Sequence, residues 1–367
     1  MPEATTDLRP ELARLSTYNA GLTLEDALRR CGGGPVAKLG SNENPYGQPA
    51  PVREAMQRAL LAAHLYPDPQ CRKLAGAIAA QSALPAGRII FGDGSEDLLN
   101  ILARCLLRPG DKMVTLYPSF PLHEDYARMM GADIIRIGLT MAWNIDMPAL
   151  LAAAAAPARL ILLANPMNPA GLWLRPYELD ALLAAQHPQT VLCLDEAYME
   201  YAAGADFLPA TERLQTHAKP LLILRTFSKA YGLAALRVGY GLSNDEELLR
   251  GMNLVRTPFN VNGIAQEAAM AALRHQEEMR AAVSAVVAER ERVAAALRQM
   301  GFTVLPSKGN FLFVDAARPS GPLAEALLDQ GVIVKPWRQA GYETFLRVSI
   351  GLPRENEQFL DALRRMC

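Results

Sequence analysis

Residues 191–198 read Val191-Leu192-Cys193-Leu194-Asp195-Glu196-Ala197-Tyr198. Four apolar residues in a row, without polar alternation, suit a strand buried on both faces. Runs of similar character recur at 88–91, 113–116, 134–137, 160–164, 221–224 and 238–242. Between most of them lie segments with helical spacing, such as 96–107, 122–130 and 176–186. Strands alternating with helices predict an α/β fold with a mainly parallel central sheet covered on both sides. Beyond Pro258 the pattern changes. One long helical stretch runs over 265–300, short strands follow at 302–305, 311–314, 332–334 and 345–349, and a last helix covers 354–365. The expectation is a large domain at 41–257 and a smaller α+β domain at 258–367, with the loop-rich residues 1–40 packing on the smaller one.

Composition supports this and narrows the function classes. Half of the 367 residues are apolar, enough for a large core. The net charge is -1, from 37 basic and 38 acidic residues, which favours neither nucleic acid nor an anionic membrane as partner. The first ten residues are polar and do not read as a secretory signal. The most apolar region, 150–164, is alanine-rich and interrupted by Pro157 and Arg159, too short and broken to span a bilayer. Cys31, Cys71, Cys105, Cys193 and Cys367 have no paired spacing, so reduced thiols in a cytoplasmic protein are expected. The five histidines have no ligand spacing, and no metal site is expected.

The chemistry-bearing residues cluster where predicted strands end. Thr226-Phe227-Ser228-Lys229-Ala230-Tyr231-Gly232 follows the strand 221–224. A lysine at a strand's carboxyl end in an open α/β sheet points into the crevice where ligands bind. Ser228 and Arg237 lie close enough in sequence to reach one anion together. Asp195 ends an apolar strand, where a carboxylate is costly unless a cation or hydrogen-bond donor meets it. A protonated pyridine nitrogen is one such partner; capping of a following helix is the plainer alternative. Tyr198, three residues on, could donate to a phenolic oxygen on the same ring.

Three further segments fit the same picture. Asn165-Pro166-Met167-Asn168-Pro169-Ala170-Gly171 makes a stiff loop after the strand 160–164, and reads either as a plain turn or as the holder of Asn168. Gly92-Asp93-Gly94-Ser95-Glu96-Asp97 joins a strand to a helix. Its glycines allow close backbone approach, and the free N–H groups of the helix start attract an anion. Its acidic first turn equally suits ordinary capping. Tyr117, in Tyr117-Pro118-Ser119-Phe120, is an aromatic at the sheet edge, placed either to stack on a ring or to fill the core.

Taken together these segments resemble the fold-type-I aminotransferases, which depend on pyridoxal 5'-phosphate, and among them the histidinol-phosphate aminotransferase branch. The resemblance extends over nearly the whole chain. It includes Ser41-Asn42-Glu43-Asn44-Pro45-Tyr46-Gly47, Leu65-Tyr66-Pro67-Asp68, Arg108-Pro109-Gly110-Asp111, Pro258-Phe259-Asn260-Val261, Asn310-Phe311 and Leu346-Arg347-Val348, in the family's order. It implies that Lys229 holds the cofactor as a Schiff base and shuttles the proton, with Asp195 on the pyridinium. Tyr198 and Asn168 hold the phenolic oxygen, and Tyr117 stacks on the ring. Ser95, Glu96, Ser228 and Arg237 bind the phosphate. Tyr66 reaches the neighbouring subunit's cofactor, so a homodimer with shared sites is implied. Tyr18, Asn42, Lys335 and Arg347 bind the substrate.

The implied reaction exchanges an amino group between histidinol phosphate and 2-oxoglutarate by a ping-pong cycle. Arg347 can grip carboxylate or phosphate with its planar fork. The family's usual second arginine is here Lys335, a point charge, with Arg338 three residues on. The alternatives are an aromatic amino acid aminotransferase of the same branch, a lyase of the threonine-phosphate decarboxylase kind, and an inactive relative serving as a binding module.

Overall fold

The computed structural model describes residues 6–17, 19, 21–31, 33–202 and 204–366. β1 (Ala37–Lys38) leads from the N-terminal segment. The central sheet then takes β2 (Ile89–Gly92), β3 (Lys112–Leu116), β4 (Asp133–Ile137), β5 (Leu160–Ala164), β6 (Val191–Asp195), β7 (Leu221–Thr226) and β8 (Gly239–Ser243). Its strand order is β2-β8-β7-β6-β5-β3-β4. All neighbouring pairs are parallel except those of β8, which runs antiparallel to both β2 and β7. The middle strands β5 and β6 are buried at every position, as continuous apolar runs require when helices cover both faces.

This topology sets the site. β3 leads outward to β4, while β5, β6 and β7 step the other way. The carboxyl ends of β3, β5, β6 and β7 therefore open on one edge, at the reversal where an open α/β sheet binds ligands. Register carries this to single residues: Ala164 pairs with Asp195, and Asp195 with Leu224.

The second unit is built on β9 (Thr303–Val304), β10 (Phe311–Asp315), β11 (Val332–Ile333), β12 (Lys335–Pro336) and β13 (Phe345–Ser349). Four of these form an antiparallel sheet in the order β12-β13-β10-β9, while β11 pairs in parallel with β1. The strand expected at 332–334 is β11 at Val332–Ile333, and a separate short strand, β12, follows it in another sheet. Lys335 and Arg347 are direct cross-strand partners, so both side chains leave the same face.

Two expectations need correction. The helical stretch 265–300 is two helices, Gly263–Arg274 and Gln276–Gln299, broken at His275. The first packs on the helices Ala50–Leu60 and Arg72–Ser82, so it lies with the large sheet's layers although the expected boundary put it in the smaller domain. The N-terminal residues pack on both units. Arg30 pairs with Glu325 and Asp329, as expected for packing on the smaller unit. Arg9 instead donates to the carbonyl of Met129, at the end of the helix Pro121–Met129, which covers the large sheet. Among the described residues no helix is long and apolar enough to cross a membrane.

Candidate active site

One cavity lies at the carboxyl edge of the large sheet, closed from the other side by β12 and β13. Asn42, Ser95, Glu96, Asn168, Asp195, Tyr198, Ser228, Lys229, Arg237, Lys335 and Arg347 all line it. The structure brings these residues, expected at the site, together in one space.

Asp195 is the last residue of β6 and is buried. Its Oδ1 accepts the N–H of Ala197 at 3.2 Å, a turn contact two residues on; the helical turn that follows, Met199–Tyr201, has Tyr198 at its N-cap and no side-chain cap, so Asp195 is not a helix cap. Its Oδ2 lies 3.2 Å from Nε2 of His123, a buried histidine. Lys229 donates to the carbonyl of Ser41 at 3.2 Å. Its ammonium is held down to about 8, first by burial and then by the charge of Arg347. A lysine so placed is partly the neutral amine near neutrality, the form that attacks a carbonyl.

Around the lysine stands a network of amides and one phenol. Tyr198 Oη accepts from Asn42 Nδ2 at 3.0 Å and from Asn168 Nδ2 at 3.4 Å. Asn168 Oδ1 in turn accepts from Arg347 Nη1 at 3.0 Å, and Arg347 Nη2 donates to the carbonyl of Gly40 at 2.6 Å. Asn168 is therefore more than a turn residue: its amide fixes the phenol on one side and the guanidinium on the other. Asn42, expected on the substrate, also fixes Tyr198, and its Oδ1 accepts from the Ser349 hydroxyl at 2.7 Å.

The opposite end of the cavity is an anion cradle. The helix Gly94–Leu106 begins there, and its N-cap Asp93 makes no side-chain cap. The first-turn N–H groups of Ser95 and Glu96 are thus left for another acceptor. Arg237 leans over them, with Nη2 donating to the carbonyl of Asp93 at 3.2 Å and standing 3.5 Å from Glu96 Oε2. Two glycines make this approach feasible. A Cβ on Gly239 would lie 2.4 Å from the backbone nitrogen of Ser95, and one on Gly94, at φ +81°, would lie 2.7 Å from Arg237 Nη2. Backbone N–H groups, a hydroxyl and a guanidinium facing one space suit a phosphate.

Three expected residues behave differently. Tyr117 does not line the cavity. Its hydroxyl donates to the carbonyl of Ala340 at 3.0 Å, and the guanidinium of Arg136 lies 4.4 Å from its ring centre. Phe120, three residues on, lines the cavity instead. Tyr66 is 84% exposed and stacks on Phe259 at 4.6 Å, away from this chain's cavity. Tyr18 lies outside the described residues.

Two site residues escaped the sequence reading: Phe120 and His123. His123 has no metal-ligand spacing to mark it. Its position was the available signal, since it sits in the first turn of a helix that starts right after a sheet-edge loop.

The donor set fits a phosphorylated pyridine aldehyde, the group that the sequence resemblance implies. An uncapped helix start and Arg237 match the phosphate, the buried Asp195 matches a ring cation, and Lys229 matches the aldehyde.

Comparison with known proteins agrees. The family model for aminotransferase class I and II matches residues 35–363. Histidinol-phosphate aminotransferase 1 of Mesorhizobium japonicum is 47% identical over 100% of both chains. Histidinol-phosphate aminotransferase 3 of Rhizobium meliloti is 48% identical over 98% of this chain and 97% of its own. Among solved structures, histidinol-phosphate aminotransferase from Sinorhizobium meliloti in complex with pyridoxal-5'-phosphate superposes with a TM-score of 0.88, at 28% identity and full coverage of both chains. The cavity, the sheet that builds it and the full-length similarity lead to one conclusion: this chain belongs to the class I and II aminotransferases.

Proposed function

We propose that this enzyme moves the amino group of histidinol phosphate to 2-oxoglutarate, in histidine biosynthesis, with pyridoxal 5'-phosphate held on Lys229. The observation that carries the reading is the convergence of Lys229, Asp195 and the uncapped helix start at Gly94 on one cavity that also holds Lys335 and Arg347. When bound, the cofactor supplies an electron sink for the carbanion left at the substrate carbon.

The chain's own residues do the rest. Asp195 keeps the ring nitrogen protonated by offering it a fixed negative charge, and His123 and the N–H of Ala197 fix that carboxylate. Tyr198 and Asn168 hold the phenolic oxygen, and Phe120 rather than Tyr117 covers a ring face. Ser95, Glu96, Ser228 and Arg237 bind the phosphate. The amine of Lys229 would take the proton from the substrate's amino-bearing carbon and deliver it to the carbon on the far side of the amino nitrogen, two bonds on. Arg347 and Lys335, side by side on one sheet face, bind the anionic end of the substrate. The rigid net from Arg347 through Asn168 to Tyr198 ties substrate orientation to ring orientation.

The working unit is a cytoplasmic homodimer in this reading. Tyr66 and the neighbouring apolar side chains Leu61 and Leu65 are exposed in the single chain. A partner subunit would cover them and take Tyr66 toward its own cofactor phosphate. The deciding experiment is an amino-donor and acceptor panel including histidinol phosphate. Efficient turnover of histidinol phosphate with 2-oxoglutarate supports the reading. Preference for phenylalanine supports the aromatic alternative, and release of carbon dioxide the lyase.

A further inference from the structure

A second cavity, of about 440 Å³, adjoins the first and shares Phe120, Lys335 and Arg347 with it. A substrate whose amino-bearing carbon lies at Lys229 and whose anion meets Arg347 has its remaining arm directed here. The lining is cationic: Arg128, Arg136, Arg338, Lys335 and Arg347 face only Glu124 and Asp125. Glu124 is already bound by Arg128 and Arg136, the latter at 2.8 Å.

Gln339 also lines this space, and its amide has one orientation. Its Oε1 sits 2.9 Å from the backbone nitrogen of Ser119 and 3.0 Å from Nε1 of Trp337. Both of those atoms carry hydrogen and cannot accept, so the amide atom between them must be the oxygen. Trp337 is itself buried against Phe313, and the same loop is pinned where Ala340 accepts from Tyr117. The Nε2 end is therefore held, and among the described residues no acceptor meets it.

Resting on the proposed function, we infer that Gln339 sets side-chain specificity by presenting a fixed N–H donor to the substrate arm in the second cavity. A neutral imidazole offers that donor a ring nitrogen, and glutamate offers a carboxylate. A phenyl ring offers nothing and, by displacing water from the cavity, would leave the N–H without a partner. Sites built to hydrogen-bond a substrate group reject analogues that lack it, because the protein's polar group is then left unpaired. Gln339 thus lets one cavity serve both half-reactions and disfavour aromatic amino acids.

The test uses the holoenzyme and two variants with histidinol phosphate, glutamate and phenylalanine as amino donors. Gln339→Leu removes the donor, and kcat/KM is expected to fall about 10- to 100-fold for histidinol phosphate and glutamate, with a smaller loss for phenylalanine. Gln339→Glu keeps an oxygen for Ser119 and Trp337 but turns the presented group into an acceptor. For that variant KM for glutamate rises. Its KM for histidinol phosphate, relative to the wild type at each pH, improves as the pH drops below about 6.5, where the imidazole gains a proton. Equal losses on all three donors, or an unchanged relative pH profile in Gln339→Glu, would overturn the inference and leave Gln339 a structural residue. Failure of the wild type to turn over histidinol phosphate would sink the proposed function alone, and the glutamate-to-phenylalanine ratio would still judge Gln339.

Discussion

His123 Nε2 and Asp195 Oδ2 lie 3.2 Å apart, and both side chains are buried at the carboxyl edge of the sheet. The aspartate comes from β6 and the histidine from the helix after β3, so the contact ties together two elements that β5 separates. In the proposed role Asp195 faces a ring nitrogen and needs its rotamer held, and this contact holds one of its two oxygens. Replacing His123 with alanine is expected to weaken cofactor affinity by about 10- to 150-fold, the worth of one buried hydrogen bond to a charged group at ~1.5–3 kcal/mol. Titration of the apoenzyme with pyridoxal phosphate measures it. Gln in place of His123 restores part of the affinity if the contact acts by positioning Asp195, and no rescue would point to packing alone.

The amine of Lys229 is lowered to about 8, with burial as the first cause and Arg347 as the second. Below that pH the ammonium form dominates and cannot attack an aldehyde. The rate at which apoenzyme takes up pyridoxal phosphate is therefore expected to rise with pH and level off above about 8. Arg347→Ala removes a nearby positive charge and should move the midpoint upward. Stopped-flow absorbance of the imine band reads both. A midpoint near the ordinary lysine range would show that the amine is not desolvated before the cofactor arrives.

The proposed phosphate cradle depends on Gly239. A methyl group there would lie 2.4 Å from the Ser95 nitrogen and 2.6 Å from the Gly94 carbonyl carbon, both backbone atoms that cannot rotate away. Overpacking of this kind costs about 1–3 kcal/mol. Gly239→Ala should push the helix start off the phosphate and weaken cofactor binding by about 5- to 150-fold. Equilibrium dialysis against pyridoxal phosphate, with thermal unfolding as a control for global damage, distinguishes the local effect from the general one.

Much of this architecture was legible from residue order. β5, β6 and β7 announced themselves because strands buried on both faces have no polar alternation to hide them. Asp195 and Lys229 were legible for the converse reason: a charge ending an apolar run demands a partner. The break at His275 was not, since neither Gly nor Pro marks it and the apolar periodicity reads through from one helix to the next. Nor could sequence choose between Tyr117 and Phe120. Both are aromatic, both follow β3, and only the path of the turn decides which one faces the cavity. His123 and Gln339 act through contacts across 72 and 220 residues of chain, to Asp195 and Ser119, and such contacts leave no local pattern.

Tyr66 offers a test of the shared site. It lies beyond reach of its own cavity, 84% exposed and stacked on Phe259. Tyr66→Ala and Lys229→Ala should each be nearly inactive or strongly impaired as homodimers. Mixed dimers of the two regain activity in one of their two sites, because one site then holds both wild-type groups. Co-expression with distinct affinity tags and assay of the isolated heterodimer reads this. Heterodimer activity no greater than that of the Tyr66→Ala homodimer would mean that Tyr66 does not act across subunits.

Lys335 stands where the resemblance led one to expect arginine, and its environment gives it a pH dependence that arginine would lack. Its ammonium is lowered to about 8, chiefly by burial and further by Arg347 and Arg338. Because the value in the folded protein lies below the ordinary one, the charge is complete below that pH and lost above it. KM for a phosphate-bearing substrate should therefore rise about tenfold or more between about pH 7 and 10, the worth of a charge-assisted hydrogen bond. Lys335→Arg is expected to flatten that rise, since a guanidinium keeps its charge throughout the range. Any other group that titrates in this window is shared by the two enzymes, so the ratio of their KM values at each pH isolates Lys335. A ratio that stays constant with pH would place the substrate's anion on Arg347 alone.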